Sequence, residues 1–475
     1  MNYTKKKIFS NAALLSGSEI FGRCLRLILV VAVARILGPE TMGLFAFSIS
    51  LVGIFEIINN WGFNQFIERE ISRTPAKTGK FISEIFSTKL VIYLLSAIII
   101  YFITLFIFDD IKRQLVWIAL LNMFFATFFQ TTNSFFRAHQ KPIYEVVSRC
   151  VWRIFSTSVG LTLLWFGFGI VILALSGLIT QIIVCVPYIT FFVWQFRKKI
   201  PIPHYLEIIS LVDRTWRFLL IRVVQKIYNS IDILMLSWIT TDLHTGLYAV
   251  AVRLSVAFSM IPLGFSGAFF PVISRLAYKD KDEFNKIFSF YYRILVLSGV
   301  GVSVFFIGFA EEIIVLLFGD QYIDAVPTLT ILSLGILLSF ATWPLTNAVI
   351  AMGKENCALR FFSICALTNI LLNLVAIPLF QENGAACTTV ISKLVLIGLV
   401  CSVLGQNMLR SINFVSLTVR PVLAGLGTFL VMLFLQRLMI HICFQVLGTA
   451  IVFCGLVLAT KTVFIHEIKK VIKIR

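Results

Sequence analysis

Fourteen apolar runs, separated by short charged or turn-forming stretches, occupy residues 9–34, 43–65, 83–107, 114–136, 150–168, 170–195, 218–239, 246–271, 294–310, 326–350, 361–380, 383–405, 421–436 and 442–460. A helix needs about 20 mainly apolar residues to cross a bilayer. A chain built almost wholly of such runs is therefore expected to be an all-α polytopic membrane protein, with fourteen spans or, because the ninth and thirteenth are short, twelve. Of the 475 residues 59% are apolar and 13% charged, against about 45–50% and 25% in soluble domains. No loop is long enough to fold as a catalytic domain. No Walker A lysine motif or Rossmann glycine pattern occurs. The nine cysteines form no CxxC and the five histidines are scattered. We therefore expect no metal, no cofactor and no enzymatic activity.

The net charge of +18 does not point to nucleic acid, because the bases are spread thinly between apolar runs. They are, however, segregated. With a cytoplasmic N-terminus and alternating spans, 29 Lys and Arg fall in cytoplasmic segments, 4 on the opposite side and 8 inside spans. Such a bias orients a membrane protein with its basic loops inside. Both termini are expected in the cytoplasm.

An internal repeat is visible. Pro39-Glu-Thr-Met-Gly-Leu-Phe-Ala46 enters the second span, and Asp242-Leu-His-Thr-Gly-Leu-Tyr-Ala249 enters the eighth. Gly43 and Gly246 coincide at an offset of 203, which also carries Arg23 onto Lys226. A six-helix unit repeated in the same orientation implies two bundles related by an axis along the membrane normal, around a central cavity. The expected organisation is an N-terminal six-helix bundle at 1–195, a cytoplasmic linker at 196–217, and a C-terminal six-helix bundle at 218–405. Residues 406–475 add two extra helices and a basic cytoplasmic tail.

Ionisable residues inside a membrane are costly and usually face a wet or protein-lined interior. Eight bases and four acids lie within the spans, a surplus that suits an anion. Glu19, Arg23 and Arg26 fall on one helical stripe, and Arg222, Lys226 and Asn229 repeat its spacing. Arg23, Arg26, Lys226 and Arg253 are the bases expected to hold substrate, with Glu19, Glu56 and Asp232 as charge-pairing or coupling acids. Asn60, Asn133, Asn229 and Asn369 are expected to line a polar cavity, though such amides also serve as interhelical hydrogen-bonding groups. Lys89, Arg153, Arg222 and Lys393 lie near expected cytoplasmic ends, where long side chains snorkel.

Several blocks carry a family resemblance: Ala34-Arg-Ile-Leu-Gly-Pro-Glu40 with Gly43-Leu-Phe45, Trp61-Gly-Phe63 followed by Ile67-Glu-Arg69, and Asn133-Ser-Phe-Phe-Arg137. Further on come Asp232, Gly246-Leu-Tyr248 with Arg253-Leu254, and Leu317-Phe-Gly319 with Ala325. Over residues 8 to about 405 the chain resembles the polysaccharide transporters of the multidrug/oligosaccharidyl-lipid/polysaccharide superfamily, the Wzx-type O-antigen flippases. Family members commonly read Leu-Gly where this chain has Trp61-Gly62. The resemblance implies a flippase for undecaprenyl-diphosphate-linked oligosaccharides in the bacterial inner membrane, working by alternating access without ATP. The partners implied are the lipid-linked sugar, membrane lipids, and a polysaccharide polymerase and chain-length regulator. Two alternatives stay open. A cation-exporting multidrug antiporter would need acids to dominate the cavity. A membrane polymerase or ligase would need a sizeable outer loop.

Overall fold

The apolar runs form helices throughout. The computed structural model describes residues 2–196, 205–437 and 442–459, and among these no strand occurs. The predicted basic tail at 461–475 and residues 197–204 of the predicted linker lie outside the described residues. The helices are α1 (Asn2–Asn60), α2 (Phe63–Arg73), α3 (Thr78–Ile107), α4 (Asp110–Ala138), α5 (Ile143–Trp165), α6 (Ile170–Phe196), α7 (Tyr205–Ile239) and α8 (Asp242–Ala257). They continue as α9 (Met260–Leu276), α10 (Lys281–Gly308), α11 (Ala310–Phe318), α12 (Ala325–Ala351), α13 (Glu355–Leu404), α14 (Gln406–Ser411), α15 (Phe414–Arg437) and α16 (Ile442–Ala459). The predicted spans fall on helices or on limbs of broken helices, except that the second runs past the end of α1 into α2 and the eighth straddles α8 and α9. Two long helices each supply two spans. α1 is broken at Gly38, whose φ of 82° precedes Pro39, and α13 at Gln381, whose φ is 52°. Gly tolerates that left-handed φ without strain, and Pro cannot donate the backbone hydrogen bond that would carry the helix on.

Both short runs belong to full-length helices. The ninth starts at Lys281, capped by the Asp280 carboxylate, which accepts from the backbone of Asp282 and Glu283 at 3.0 Å each. Charged residues between 275 and 293 interrupt the hydropathy, yet Phe284, Phe288, Tyr291, Tyr292 and Leu295 continue one buried stripe. The thirteenth begins at Phe414. Among the described residues the helices are consistent with twelve to fourteen spans.

The chain divides into two compact units, Met1–Ala249 and Val250–Arg475, with α7 and the start of α8 in the first. In the first unit α4 is central, packing against α1, α2, α3, α5 and α6. Its membrane helices reverse the soluble pattern. Along α3, Leu90, Val91, Leu94, Leu95, Ile98 and Ile99 are exposed, whereas Glu84, Thr88, Lys89 and Ser96 are buried. Hydrocarbon accepts the apolar face, and polar groups must find partners inside. The short amphipathic α2 buries Phe63, Phe66, Ile67 and Ile71 against Phe135, Phe136 and Phe192.

In the same unit the two halves of the sequence repeat meet. A Cβ on Gly43 would lie 1.9 Å from the Asp242 carbonyl oxygen, and one on Gly246 would lie 1.9 Å from the Pro39 carbonyl oxygen. Pro39 and Asp242 are also separated by 203 residues, so the contact is reciprocal. Only glycine lets these backbones approach so closely.

In the second unit α10 packs against α9, α12 and α15, and α12 packs against α13. Gly299 of α10 closes on Phe340, and the Ser303 hydroxyl donates to the Ser333 carbonyl at 2.7 Å.

Candidate functional site

Two polar systems run through the first unit. The first is a chain of alternating charge. Arg23 pairs with Glu19 at 3.0 Å, and Glu19 with Arg149 at 2.9 Å. Arg149 pairs with Glu145, Glu145 with Arg137 at 2.6 Å, and Arg137 with Glu68 at 2.8 Å. Its six residues tie α1, α5, α4 and α2 together. Glu145 is fully buried, and a carboxylate there is tolerable because guanidinium groups on either side neutralise it.

This chain borders a group of arginines. Arg26 is exposed, three residues beyond Arg23, and lies within electrostatic range of Glu19, Arg23, Glu56 and Arg149. Arg153 lies in range of Arg26, Glu19 and Arg149. It packs along Gly22 and stacks on Trp152, with its guanidinium carbon 3.9 Å from the ring centroid. Arg23, Arg26, Arg149 and Arg153 thus converge from α1 and α5, with Glu19, Glu56 and Glu145 as acids near them. Four guanidiniums in a fixed fork geometry suit phosphate oxygens.

The second system is a buried relay. Lys89 of α3 is fully buried, so it does not snorkel. Its ammonium donates to Asn60 Oδ1 at 2.7 Å and to the Thr127 carbonyl at 3.1 Å. Asn60 Nδ2 donates to Gln130 Oε1 at 3.2 Å, and Gln130 Nε2 donates to Glu56 Oε1 at 2.7 Å. Lys89 can only donate while charged, and that fixes both amide orientations.

The other predicted residues are placed as follows. Lys226 of α7 stands over Gly53, its Nζ 2.8 Å from where a Cβ would be. Asp232 is buried and accepts from the Tyr248 hydroxyl at 2.8 Å. Asn133 accepts from the Tyr188 hydroxyl at 2.8 Å, linking α4 to α6. Asn229 is exposed and donates to the Gln225 carbonyl of its own helix at 2.7 Å. In the second unit Arg253 is half-buried on α8. Asn369 is buried between the limbs of α13, accepting from Asn373 at 3.0 Å, and Asn373 accepts from Thr388. Among the described residues no three His, Cys, Asp or Glu side chains gather as metal ligands would.

Sequence reasoning put Glu19, Arg23 and Arg26 on one stripe, of which the structure pairs Glu19 with Arg23; it missed Arg149 and read Arg153 as a snorkelling side chain. The signal was present. Glu145, Arg149 and Arg153 form an i, i+4, i+8 stripe like that of α1, but a boundary drawn at residue 150 assigned the first two to a loop.

Comparison with known proteins places the chain. A family model described as polysaccharide biosynthesis protein matches residues 8–277, and one described as MatE matches residues 218–375. A protein of Haloferax volcanii described as a probable flippase is 28% identical over 261 residues, 54% of this chain and 53% of that protein. The chain thus spans about half the length of that relative. A probable low-salt glycan biosynthesis flippase of the same organism is 23% identical, over 79% of each chain. Among solved structures, the lipid II flippase MurJ in an inward closed conformation superposes with a TM-score of 0.73 at 17% identity, covering 96% of this chain and 99% of that one. At that identity the likeness establishes the fold.

Proposed function

We infer the activity from one premise: the chain belongs to the polysaccharide biosynthesis protein family, within the multidrug/oligosaccharidyl-lipid/polysaccharide superfamily. It is a flippase that carries a polyprenyl-diphosphate-linked oligosaccharide across a membrane. The carrier lipid is undecaprenyl diphosphate, and the cargo is a surface-polysaccharide repeat unit such as O-antigen. The observation that carries this reading is the convergence of Arg23, Arg26, Arg149 and Arg153 from α1 and α5 of a membrane bundle.

A diphosphate–sugar head is anionic and rich in hydroxyls. The arginines supply paired donors for its phosphate oxygens, and Glu19 holds Arg23 and Arg149 in place while the site is empty. Lys226 adds positive charge in the same unit, and Asp232 orients its neighbours through Tyr248. No step requires a nucleotide, since movement of the head follows an ion gradient or the membrane potential. The repeat related by 203 residues supplies the symmetry for alternating access, and the reciprocal Gly43–Gly246 contact is where its two copies touch.

The MatE match over residues 218–375 favours a second reading, a cation antiporter. A cationic cargo would be repelled by four converging arginines, whereas an anionic one is attracted. Binding of a radiolabelled polyprenyl-diphosphate sugar separates the two readings. Arg26→Ala and Arg149→Ala each remove a charge-assisted contact worth about 1.5–3 kcal/mol, so each should weaken binding about tenfold or more. Unchanged affinity in the double variant would remove the basis for the headgroup site.

A further inference from the structure

α7 is longer than a membrane crossing needs. Its 35 residues span about 52 Å at 1.5 Å per residue, against about 30 Å of hydrocarbon. The surplus is residues 205–217, which precede the apolar run and were expected to belong to a linker. They form a helical strap laid against α2. Leu211 is buried in the cluster that includes Phe63 and Phe66 of α2, and Thr215 is fully buried.

Two contacts of different kinds hold α7 to the α2 region. The first is neutral. Trp61, in the turn between α1 and α2, has a φ of 43° and is followed by Gly62 at 75°. A bulky side chain rarely takes this left-handed conformation. Here it aims the indole at α7, where Nε1 donates to the Val212 carbonyl at 3.3 Å. The second is charged. With the Gln65 amide turned to satisfy its neighbours, its oxygen accepts from Arg222 Nε at 3.1 Å and its N–H donates to the Gly62 carbonyl at 3.3 Å. Arg222 also lies within electrostatic range of Glu68, one turn further along α2.

Glu68 is also the end of the charge chain, and its bonds there are lopsided. Arg137 Nε and Nη2 both reach Glu68 Oε1, at 2.9 and 2.8 Å, so neither uses Oε2. Glu145 is lopsided in the same way. Arg137 and Arg149 both pair with its Oε1, whereas its Oε2 is sealed from solvent with no hydrogen-bond partner among the described residues. An unpaired buried carboxylate oxygen is costly. Arg137 can satisfy it by turning its donor fork fully onto Glu145 once Arg149 gives up its share. An anionic headgroup provides that occasion, because its phosphate oxygens compete with Glu145 and Glu19 for Arg149. Glu68 then loses Arg137, and Arg222 is the cation left to neutralise it.

We propose that the start of α7 is a strap that tightens on α2 when an anionic headgroup occupies the arginine group, as Arg137 passes from Glu68 to Glu145 and Glu68 passes to Arg222. Trp61 seats the strap while the site is empty, and the Glu68–Arg222 pair adds grip once it is filled. No proton moves; ion pairs exchange partners along the chain. The linkage is reciprocal, so a tightened strap also holds the headgroup more firmly. This rests on the headgroup reading given above and adds to it a closure that follows binding.

The test follows amide hydrogen exchange by mass spectrometry over residues 205–222 of the full chain in lipid nanodiscs. Exchange there reports how often the strap opens. The ligand is a short-tailed polyprenyl-diphosphate N-acetylhexosamine, whose binding is measured separately by calorimetry. In the wild type, saturating ligand should slow exchange in this segment about tenfold, the effect of one added charge-assisted contact. Arg222→Gln removes the charged grip and should bind ligand without this slowing. Glu68→Gln should lose the slowing as well, and the double variant should lose no more than either single one. Trp61→Phe removes only the indole donor. Its exchange should be faster with and without ligand, and ligand should still slow it. Wild-type binding without slowing, full slowing in Arg222→Gln or in Glu68→Gln, or exchange unaltered by Trp61→Phe would overturn the strap and leave the headgroup site standing. Absence of any binding by the wild type would overturn both.

Discussion

Glu145 is the residue on which the charge chain turns. It is fully buried between Arg137 and Arg149, and through Arg149 it reaches Glu19 and the arginine group. Breaking a buried pair costs about 3–5 kcal/mol, because it strands an uncompensated charge. The two arginines are partly exposed, so water softens the loss and the lower end of that range applies. Glu145→Ala should lower the thermal midpoint of the purified protein by several degrees, read by tryptophan fluorescence. It should also weaken headgroup binding, since Arg149 loses one of its two anchors. Full stability in this variant would show that the chain of pairs is not cooperative. Neither Glu145 nor Lys89 was legible as a buried group in the sequence. A carboxylate beside Pro142 and Lys141 looks like a loop residue, and a lysine near a predicted helix end looks free to reach the interface. Their burial is set by where α4 and α3 pack, which only the tertiary structure determines.

At the scale of elements, the Gly43–Gly246 contact is the most exacting feature of the first unit. Each glycine's missing side chain is filled by a backbone carbonyl of the partner segment, 1.9 Å from an added Cβ. Gly43→Ala and Gly246→Ala should each push α1 and α8 apart and lower the thermal midpoint. The double variant should cost less than the sum of the two, because one displacement relieves both clashes. Additive effects would indicate that the two positions do not share a contact. Lys112 reinforces this region, pairing with Asp242 at 2.8 Å and donating to Ser237 at 3.2 Å. The shared Gly-Leu-aromatic-Ala made this correspondence readable from sequence, because a close backbone approach demands glycine at both positions. The extents of α10 and α15 were less readable. Charged residues in the first turns of α10 lowered the local hydropathy, although the buried stripe of Phe284, Phe288 and Tyr292 runs on at helical spacing.

For the molecule as a whole, the segregation of Lys and Arg predicts the orientation and the helix count together. Reporter fusions after Lys80 and after Arg475 should be active only as cytoplasmic reporters, which requires an even number of spans. Periplasmic activity at either site would reverse the topology on which the headgroup pathway depends. The family and the fold answer to different parts of the chain. The matched family model ends at residue 277, while structural likeness to MurJ extends over 96% of the residues. Translocation of a lipid-linked glycan is measured directly by reconstitution. Proteoliposomes loaded with a fluorescent polyprenyl-diphosphate oligosaccharide are treated with a membrane-impermeant quencher after a proton gradient is imposed. The wild type should expose lipid from the inner leaflet without ATP, and Arg26→Ala with Arg149→Ala should abolish this at equal protein levels. Wild-type liposomes that retain an inner-leaflet pool as large as protein-free liposomes would contradict it.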